Sequence, residues 1–285
     1  GLDRYDGAPV DEVRGASRRA LDHLIAAALD HQVDFVVIAG DLYDGDWLDH
    51  NTGLFFTKSV TRLAEEGIAV ALVRGNHDAA SRLTKTLRLP ANVYRFADSA
   101  PETHVLTEIG VALHGQSFAT AAVAEDLAAR YPAPLPDCFN LGLLHTSLNG
   151  RPGHDPYAPT TLDVLRARGY DYWALGHVHA AEVVCRAPWV VYPGNPQGRH
   201  IRETGPKGCA LITVTDGEIT HQNLALDVMR WDMLALDISG LADMDALLES
   251  ALRELRQRLV EAGDRALAVR IQVRGSGALH RRLAA

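Results

Sequence analysis

The sequence predicts an α/β fold in which sheets and helices lie in layers, with a partial, smaller α+β domain at the C-terminal end. Two observations lead to this prediction. Short β-branched runs, several of them closed by a glycine, alternate with stretches whose apolar residues recur at helical spacing. Shorter strands separated by turns follow later in the chain. With 285 residues, 47% of them hydrophobic, the chain is long enough for one or two domains with a sizeable core.

The first 80 residues alternate between helix and strand patterns. Apolar positions between Val10 and Gln32 recur at helical spacing and predict a helix. The run VDFVVIAGD at 33–41 predicts a buried strand closed by Gly-Asp. A helix is predicted over 52–66, and IAVALVRGNHD at 68–78 repeats the strand-then-glycine pattern. This alternation is what indicates the α/β class.

The middle of the chain continues the pattern. VALHG at 111–115, FNLGLLHTS at 139–147 and YDYWALGHVH at 170–179 predict three further strands. Helices are predicted near 121–130 and over 160–168.

After residue 180 the pattern becomes rich in strands. WVVYPGN at 189–195, KGCALITVT at 207–215 and EITHQNLAL at 218–226 predict an antiparallel sheet. We place a domain boundary here, with one domain over 1–226 and the start of a second, incomplete one over 227–285.

The second predicted domain has a strand–helix–strand order. The strands are MLALDIS and ALAVRIQVRG, and the amphipathic helix between them covers 243–262. Its apolar positions are Leu247, Leu248, Ala251, Leu255 and Leu259.

Composition excludes some classes of function. The net charge of −8 argues against a protein that coats nucleic acid with a broad basic surface. No apolar run is long enough to span a membrane, and no signal peptide is visible. Three widely spaced cysteines favour the reducing cytoplasm over a disulfide framework. Since no initiator Met is present, we expect the chain to begin inside a longer protein.

Four segments share one pattern, in which an apolar strand ends in a small residue and polar side chains follow. The carboxyl ends of parallel strands meet at one edge of a sheet, so these side chains can reach a single cleft. Carboxylate, amide and imidazole groups without thiolate suit Mn²⁺, Fe or Zn²⁺. The segments are IAGDLYD with Asp41 and Asp44, VRGNHD with Asn76, His77 and Asp78, GLLHTS with His145, and LGHVH with His177 and His179.

Each of these segments also has an ordinary structural explanation when taken alone. Gly-Asp after a strand is a common turn or helix cap, and a single histidine is more often a core residue than a ligand. The shared position of all four, at the ends of strands, favours a metal site over four independent turns.

The motifs GDLYD, GNHD, GLLH and GHVH resemble the successive motifs of the calcineurin-like metallophosphoesterases. VVYPGNPQGRHIRE at 190–203 resembles the DNA-repair exonuclease branch of that family, which is SbcD-like, and GLDRYDG and DLYDGDWLDHNTGLFF are most similar to its YhaO-type members. The resemblance implies a layered metallophosphoesterase β-sandwich flanked by helices, with a capping domain at the C-terminus. It also implies metal-dependent hydrolysis of phosphodiester bonds in DNA by an exonuclease subunit that acts in DNA repair.

The resemblance implies a dinuclear Mn²⁺ centre, with Zn²⁺ or Fe as alternatives. Asp41 would bridge the two ions, and Asn76, His145 and His177 would complete the second site. His179 would belong to the first site.

The resemblance also implies that His77 faces the scissile phosphate and that Asp44 orients or assists it. The first motif of the family, an Asp-x-His at the end of the first strand, is expected before Gly1. We therefore expect the domain over 1–226 to lack that strand and the second metal site to be the only one filled.

Arg199, His200 and Arg202 form a basic cluster that either contacts phosphate or is a solvated turn.

The resemblance implies DNA and an SbcC-like coiled-coil ATPase as partners, and no association with a membrane. Whether the protein forms a homodimer is left open. Two alternatives to the nuclease remain. The acidic net charge suits a phosphatase or phosphodiesterase of small substrates, and the missing motif suits a non-catalytic scaffold for the ATPase.

Overall fold

The computed structural model describes residues 2, 10–43, 51–80, 88–150 and 157–283. Thirteen strands and six α-helices are assigned there, and the prediction of an α/β protein is confirmed. The helices are α1 Val10–Asp30, α2 Asn51–Glu65, α3 Asn76–Ala80, α4 Leu162–Ala167, α5 Met244–Ala262 and α6 Ala278–Leu283. The strands are β1 Phe35–Ala39, β2 Ala69–Val73, β3 Val93–Arg95, β4 Glu102–Leu106, β5 Val111–Gly115, β6 Phe139–His145, β7 Tyr172–Gly176, β8 Glu182–Arg186, β9 Trp189–Tyr192, β10 Gly208–Thr215, β11 Glu218–Ala225, β12 Met229–Asp237 and β13 Ala266–Arg274.

The described strands form four sheets. A three-stranded parallel sheet has the order β1-β2-β3, and a six-stranded sheet has the order β4-β5-β6-β7-β9-β8. In the larger sheet β5, β6, β7 and β9 run parallel, and the outer strands β4 and β8 are antiparallel to their neighbours. Two-stranded sheets are formed by β10 with β11 and by β12 with β13.

The two larger sheets pack face to face around an apolar core. Ala71 and Val73 from the three-stranded sheet pack with Leu141, Leu143 and Tyr172 from the six-stranded sheet. Separate cores lie on the outer faces, one under α1 and α2 and one between β7 and the chain around α4. Most residues of β2, β5, β6 and β7 are therefore buried, as in parallel strands between layers, whereas β1 is half-buried. The predicted strands β10, β11 and β13 are partly exposed.

The contacts divide the chain into two compact units. One unit comprises Leu21–Asn195 and Cys209–Leu224, and it contains both of the larger sheets. The other comprises Gly1–Ala20, Pro196–Gly208 and Ala225–Ala285. The domain boundary that we place after residue 226 stays a prediction.

The second unit contains the predicted strand–helix–strand segment. The strands β12 and β13 pair in parallel, and α5 begins after Asp243, whose side chain accepts a hydrogen bond from the Ala246 N–H. Leu247 and Ala251 on α5 are buried against the sheet. Leu248 and Leu259, which the sequence pattern assigns to the same apolar face, are exposed. Among the described residues, no helix is long and apolar enough to cross a membrane.

The predicted helix near 121–130 is wrong. The only helical turn there is a 3-10 turn at Ala128–Arg130. The side chain of Asp126 accepts hydrogen bonds from the Ala129 N–H and the Thr160 hydroxyl, and the carbonyl of Val123 accepts from the Ala158 N–H. These bonds take up groups that a regular helix would have used.

The antiparallel assignment of 189–195 is wrong in part. Trp189–Tyr192 pairs with β7 in parallel and extends the larger sheet, and only its other neighbour, β8, is antiparallel. The pattern missed β8 and also β3 and β4, which are short and partly exposed.

Candidate metal centre

The segment Gly40-Asp41 leaves the end of β1 in a left-handed conformation. Gly40 has φ +92° and Asp41 has φ +52°. A Cβ on Gly40 would lie 2.8 Å from the backbone nitrogen of Gly75, so this position has no room for a side chain. Left-handed backbone at a residue other than glycine is strained and is often found at functional sites. The Gly-Asp pair thus turns the Asp41 carboxylate across the end of the strand.

The segment Gly75–Asp78 follows β2 and lies against the Asp41 segment. The backbone N–H of His77 donates to Oδ1 of Asp41 at 3.0 Å. The buried Asp78 carboxylate accepts from backbone N–H groups on both segments. Burial, helped by the negative charge of Asp41, raises the pKa of Asp78 to about 6, although its backbone hydrogen bonds act in the opposite direction.

His145 is the last residue of β6 and is completely buried. Its Nδ1 lies 2.8 Å from the carbonyl oxygen of Ala39. A carbonyl oxygen only accepts, so Nδ1 carries the proton in this bond. The other ring nitrogen, Nε2, faces two more oxygens, Oδ1 of Asn76 at 3.0 Å and Oδ2 of Asp41 at 3.4 Å.

This arrangement fits a cation. With Nδ1 protonated, the neutral imidazole presents a lone pair at Nε2 to a carboxylate oxygen and an amide oxygen, which are also acceptors. A proton on Nε2 would relieve the conflict, but burial lowers the pKa of His145, although the charge of Asp41 and the Ala39 carbonyl act in the opposite direction. A metal ion among the three acceptors satisfies all of them, and the bond from Nδ1 to a carbonyl is the usual support of a metal-binding histidine.

His177 completes the cluster from the end of β7. Asp41, His145 and His177 each offer one ligand atom, and these atoms lie within 4.8 Å of one another. The backbone of His177 has φ +97°, and its ring packs edge-on against the rings of His145 and Tyr157. Gly176, just before it, lies against the carbonyl of Ala39, so a Cβ there would overlap that oxygen.

The four motifs come from two sheets, which corrects the expectation of a single sheet edge. Asp41 and Asn76 follow strands of the smaller sheet, whereas His145 and His177 follow strands of the larger one. The motifs meet because the sheets are stacked with the ends of these strands together. The glycines that close the strands allow this close approach.

The other predicted residues of the site have different positions. His179 follows His177 by two residues and lies outside the three-residue cluster, although it is near enough to His145 to affect its pKa. Its carbonyl accepts a hydrogen bond from the Asn195 N–H. Asp44 lies outside the described residues.

The basic cluster belongs to the other compact unit. There the carboxylate of Glu203 accepts a hydrogen bond from the Arg199 N–H at 2.7 Å and lies 3.6 Å from the His200 ring. The Arg202 N–H donates to Nδ1 of His200. A contact of Arg199, His200 and Arg202 with phosphate stays a prediction.

Asp78 is part of the VRGNHD segment, but the sequence pattern predicts no role for it. It accepts hydrogen bonds from residues 35 and 36 positions away, and no local pattern reveals such contacts. Its position directly after Asn76-His77 was the available signal. Tyr157, whose ring contacts His177, carried no signal in the sequence.

Comparison with known proteins adds two family matches. The family model of calcineurin-like phosphoesterases matches residues 14–181. The family model described as the middle domain of metallophosphoesterase YhaO matches residues 231–285. The first match includes all five residues predicted to bind metal.

The chain is also similar to curated proteins. It is 37% identical over 253 residues to "Uncharacterized metallophosphoesterase YhaO" of Bacillus subtilis (strain 168), which covers 86% of this chain and 62% of that protein. It is 25% identical over 271 residues to the SbcD subunit of the nuclease SbcCD of Escherichia coli (strain K12), covering 80% of this chain and 67% of that protein. It is 26% identical over 203 residues to "DNA double-strand break repair protein Mre11" of Methanopyrus kandleri, covering 64% and 44%. The chain thus spans less than two thirds of the Bacillus and Methanopyrus proteins.

Proposed function

Because the chain belongs to the calcineurin-like phosphoesterase family, we propose that the cluster of Asp41, His145 and His177 binds a divalent cation and that the protein hydrolyses phosphodiester bonds in DNA. The observation that carries the proposal is the convergence of acceptors on Nε2 of the buried His145. Such a cluster is stable when a cation lies within it.

The residues divide into cation ligands and a proton carrier. Asp41, Asn76, His145 and His177 hold one ion, and His179 with Asp41 would serve a second. Mn²⁺ is the proposed metal, and the mixture of oxygen and nitrogen ligands also suits Zn²⁺ or Fe. Bound divalent cations supply Lewis acidity and positive charge to a phosphodiester group.

His77 is the proposed proton donor. Its backbone is held by Asp41, so its side chain begins beside the cluster without being part of it. The alkoxide that leaves a phosphodiester needs a proton, and an imidazole can donate one near neutral pH. Asp44 is proposed to orient or assist His77.

DNA is proposed as the substrate because two of the relatives are named as part of a nuclease and as a DNA double-strand break repair protein. The similarity to one subunit of SbcCD supports an SbcC-like coiled-coil ATPase as the partner. The proposed compartment is the cytoplasm, because all three cysteines are free thiols.

The second candidate function, favoured by the net charge, is a phosphodiesterase or phosphatase that acts on small substrates. The net charge of −8 opposes long-range attraction of a nucleic acid, and it does not oppose a small substrate. A non-catalytic scaffold protein would still bind the cation but would hydrolyse neither kind of substrate.

The test compares two substrates in the presence of Mn²⁺ and after chelation. Purified protein is incubated with linear duplex DNA and with bis-p-nitrophenyl phosphate, alongside the variant Asp41→Asn. Hydrolysis of both substrates that Asp41→Asn abolishes supports the proposal. Hydrolysis of the small ester alone favours the small-substrate enzyme. Metal binding without hydrolysis of either substrate indicates the scaffold.

A further inference from the structure

We propose that Asp78 is a positioning residue that locks the Asp41 segment to the His77 segment before any ligand arrives. Its importance for catalysis rests on the proposed function. The lock itself is a property of the folded chain and can be measured without metal or substrate.

Three backbone N–H groups converge on the Asp78 carboxylate. Oδ1 accepts from Tyr43 at 3.1 Å, and Oδ2 accepts from Leu42 at 3.1 Å and from Gly75 at 3.2 Å. Leu42 and Tyr43 directly follow Asp41, whereas Gly75 precedes Asn76. One carboxylate, with only 1% of its residue surface exposed, therefore joins the segments after β1 and β2.

A further hydrogen bond joins the same two segments, with the donor and acceptor segments exchanged. The His77 N–H donates to Oδ1 of Asp41 at 3.0 Å. Each segment thus offers one carboxylate to the backbone of the other. This bond occupies one oxygen of Asp41, and the other oxygen, Oδ2, faces the ring of His145 at 3.4 Å.

The lock explains how Asp41 keeps a strained backbone. A left-handed aspartate persists only where its surroundings hold it, and the two residues after Asp41 are both bound to Asp78. Without these bonds, Asp41 could relax towards an extended backbone and its carboxylate would leave the His145 ring. Asp78 touches neither the cluster ligands of the larger sheet nor, in the proposed mechanism, the substrate.

A carboxylate is suited to this task because it only accepts hydrogen bonds. In the variant Asp78→Asn one oxygen would be replaced by an amide nitrogen, which would face a backbone N–H. The N–H groups on that side would lose their acceptor inside the protein, although side-chain volume is unchanged. Asp78→Asn is therefore the most informative substitution.

The first experiment measures amide hydrogen exchange in the metal-free chain. Asp78→Asn should speed exchange at the amides that face the new amide nitrogen, which are either Tyr43 or the pair Leu42 and Gly75. If Asp78 positions Asp41, exchange at His77 should also rise by about tenfold or more, although Asp78 does not touch that N–H. Faster exchange at these amides with an unchanged rate at His77 would overturn the proposal, since it would show only a local structural role.

The second experiment measures Mn²⁺ binding by calorimetry. Loss of a residue that orients a metal ligand weakens metal binding by about 10- to 100-fold. The matched control is Asp227→Asn, because Asp227 is an equally buried carboxylate that binds Arg230 and Arg265 in the other compact unit. Weaker binding in Asp78→Asn but not in the control supports positioning, and equal affinity in wild type and Asp78→Asn contradicts it.

The two proposals can fail separately. If wild-type protein binds no Mn²⁺, the proposed function fails, and hydrogen exchange at His77 still decides the role of Asp78. If Asp78→Asn does not fold, Asp78→Ser, which keeps one acceptor in a smaller side chain, takes its place with the same expected outcomes.

Discussion

The ring of His145 donates from Nδ1 to the carbonyl oxygen of Ala39 at 2.8 Å, across 106 positions of sequence. The two residues end strands in different sheets, so this hydrogen bond ties the sheets together at the candidate metal centre. It also sets the tautomer that turns the lone pair of Nε2 towards Asp41 and Asn76. His145 thus supports the fold through Nδ1 and offers a metal ligand through Nε2.

Two substitutions at His145 should separate these tasks. The amide nitrogen of Asn occupies a place similar to Nδ1 of histidine, so His145→Asn can keep the bond to Ala39 while it removes Nε2. We expect His145→Asn to lose Mn²⁺ affinity by at least about 100-fold and to stay more stable than His145→Ala. The alanine variant leaves the Ala39 carbonyl without its donor, at about 1–3 kcal/mol. Thermal denaturation and calorimetry measure both effects, and equal stability of the two variants would show that the Ala39 bond is unimportant.

Gly176 should not tolerate even a methyl group. A Cβ at this position would overlap the carbonyl oxygen of Ala39, which is backbone and cannot turn away. We expect Gly176→Ala to lower the free energy of unfolding by about 1–3 kcal/mol and to weaken metal binding, since β1 and β7, which precede Asp41 and His177, must separate. The control is Gly15→Ala in α1, where the nearest side-chain atom is 3.6 Å away and alanine favours the helix by up to about 1 kcal/mol. Wild-type stability of Gly176→Ala would show that the sheets can shift apart freely.

The strands that support the candidate centre were predictable as apolar runs, and a glycine closes β1, β2 and β7. The approach of two sheets was not predictable from those runs. The apolar runs predict that β1 and β6 lie in the core, but not that the carbonyl of Ala39 accepts a hydrogen bond from the ring of His145. The same limit applies to Asp78, whose partners Leu42 and Tyr43 are remote in sequence. It applies as well to the failed helix near 121–130, where a backbone hydrogen bond with Ala158 and a side-chain hydrogen bond with Thr160 override local preference.

Substitutions at His77 and Asp41 should affect activity and metal content differently. A proton donor can be removed without emptying the site, whereas a carboxylate that binds the metal cannot. We expect His77→Ala to lose about 10²- to 10⁴-fold in the rate of phosphodiester hydrolysis while it keeps bound metal. Asp41→Ala should lose both. Metal analysis and initial rates with bis-p-nitrophenyl phosphate give the two readouts, and a parental rate in His77→Ala would exclude the proposed role.

Stability should fall on mild acidification because of a buried histidine outside the metal centre. The His114 ring lies between the hydroxyl of Thr103 and the amide oxygen of Asn140 and stacks on Tyr170. Burial lowers the pKa of His114 below its ordinary value of 6.5, so the unfolded chain takes up the proton first as the pH falls. The stability that the neutral ring contributes is complete above pH 6.5 and is lost as the pH falls from there towards the lowered pKa.

The variant His114→Gln isolates this contribution. Urea denaturation of wild type and His114→Gln is compared between about pH 7.5 and 5, an interval that spans the ordinary pKa of histidine. We expect the wild type to lose more stability over this interval than the variant, although the variant starts from a lower value. Parallel profiles would show that His114 does not titrate differently in the folded and unfolded chains.

His177 and His179, which are two residues apart, should differ in their effect on the number of ions bound. His177 lies in the cluster with Asp41 and His145, and in the part of the chain that the structure describes this is the only such cluster of three acidic or histidine residues. Four ligands, with Asn76 as the fourth, are enough for a stable site, whereas Asp41 and His179 alone rarely hold a labile cation. We expect the 285-residue chain to retain about one Mn²⁺ or Zn²⁺ after dialysis rather than two. His177→Ala should lose this ion and His179→Ala should keep it. Two tightly held ions in wild type would contradict the expected count of one. Loss of the ion in His179→Ala would contradict the assignment of the two histidines to different sites.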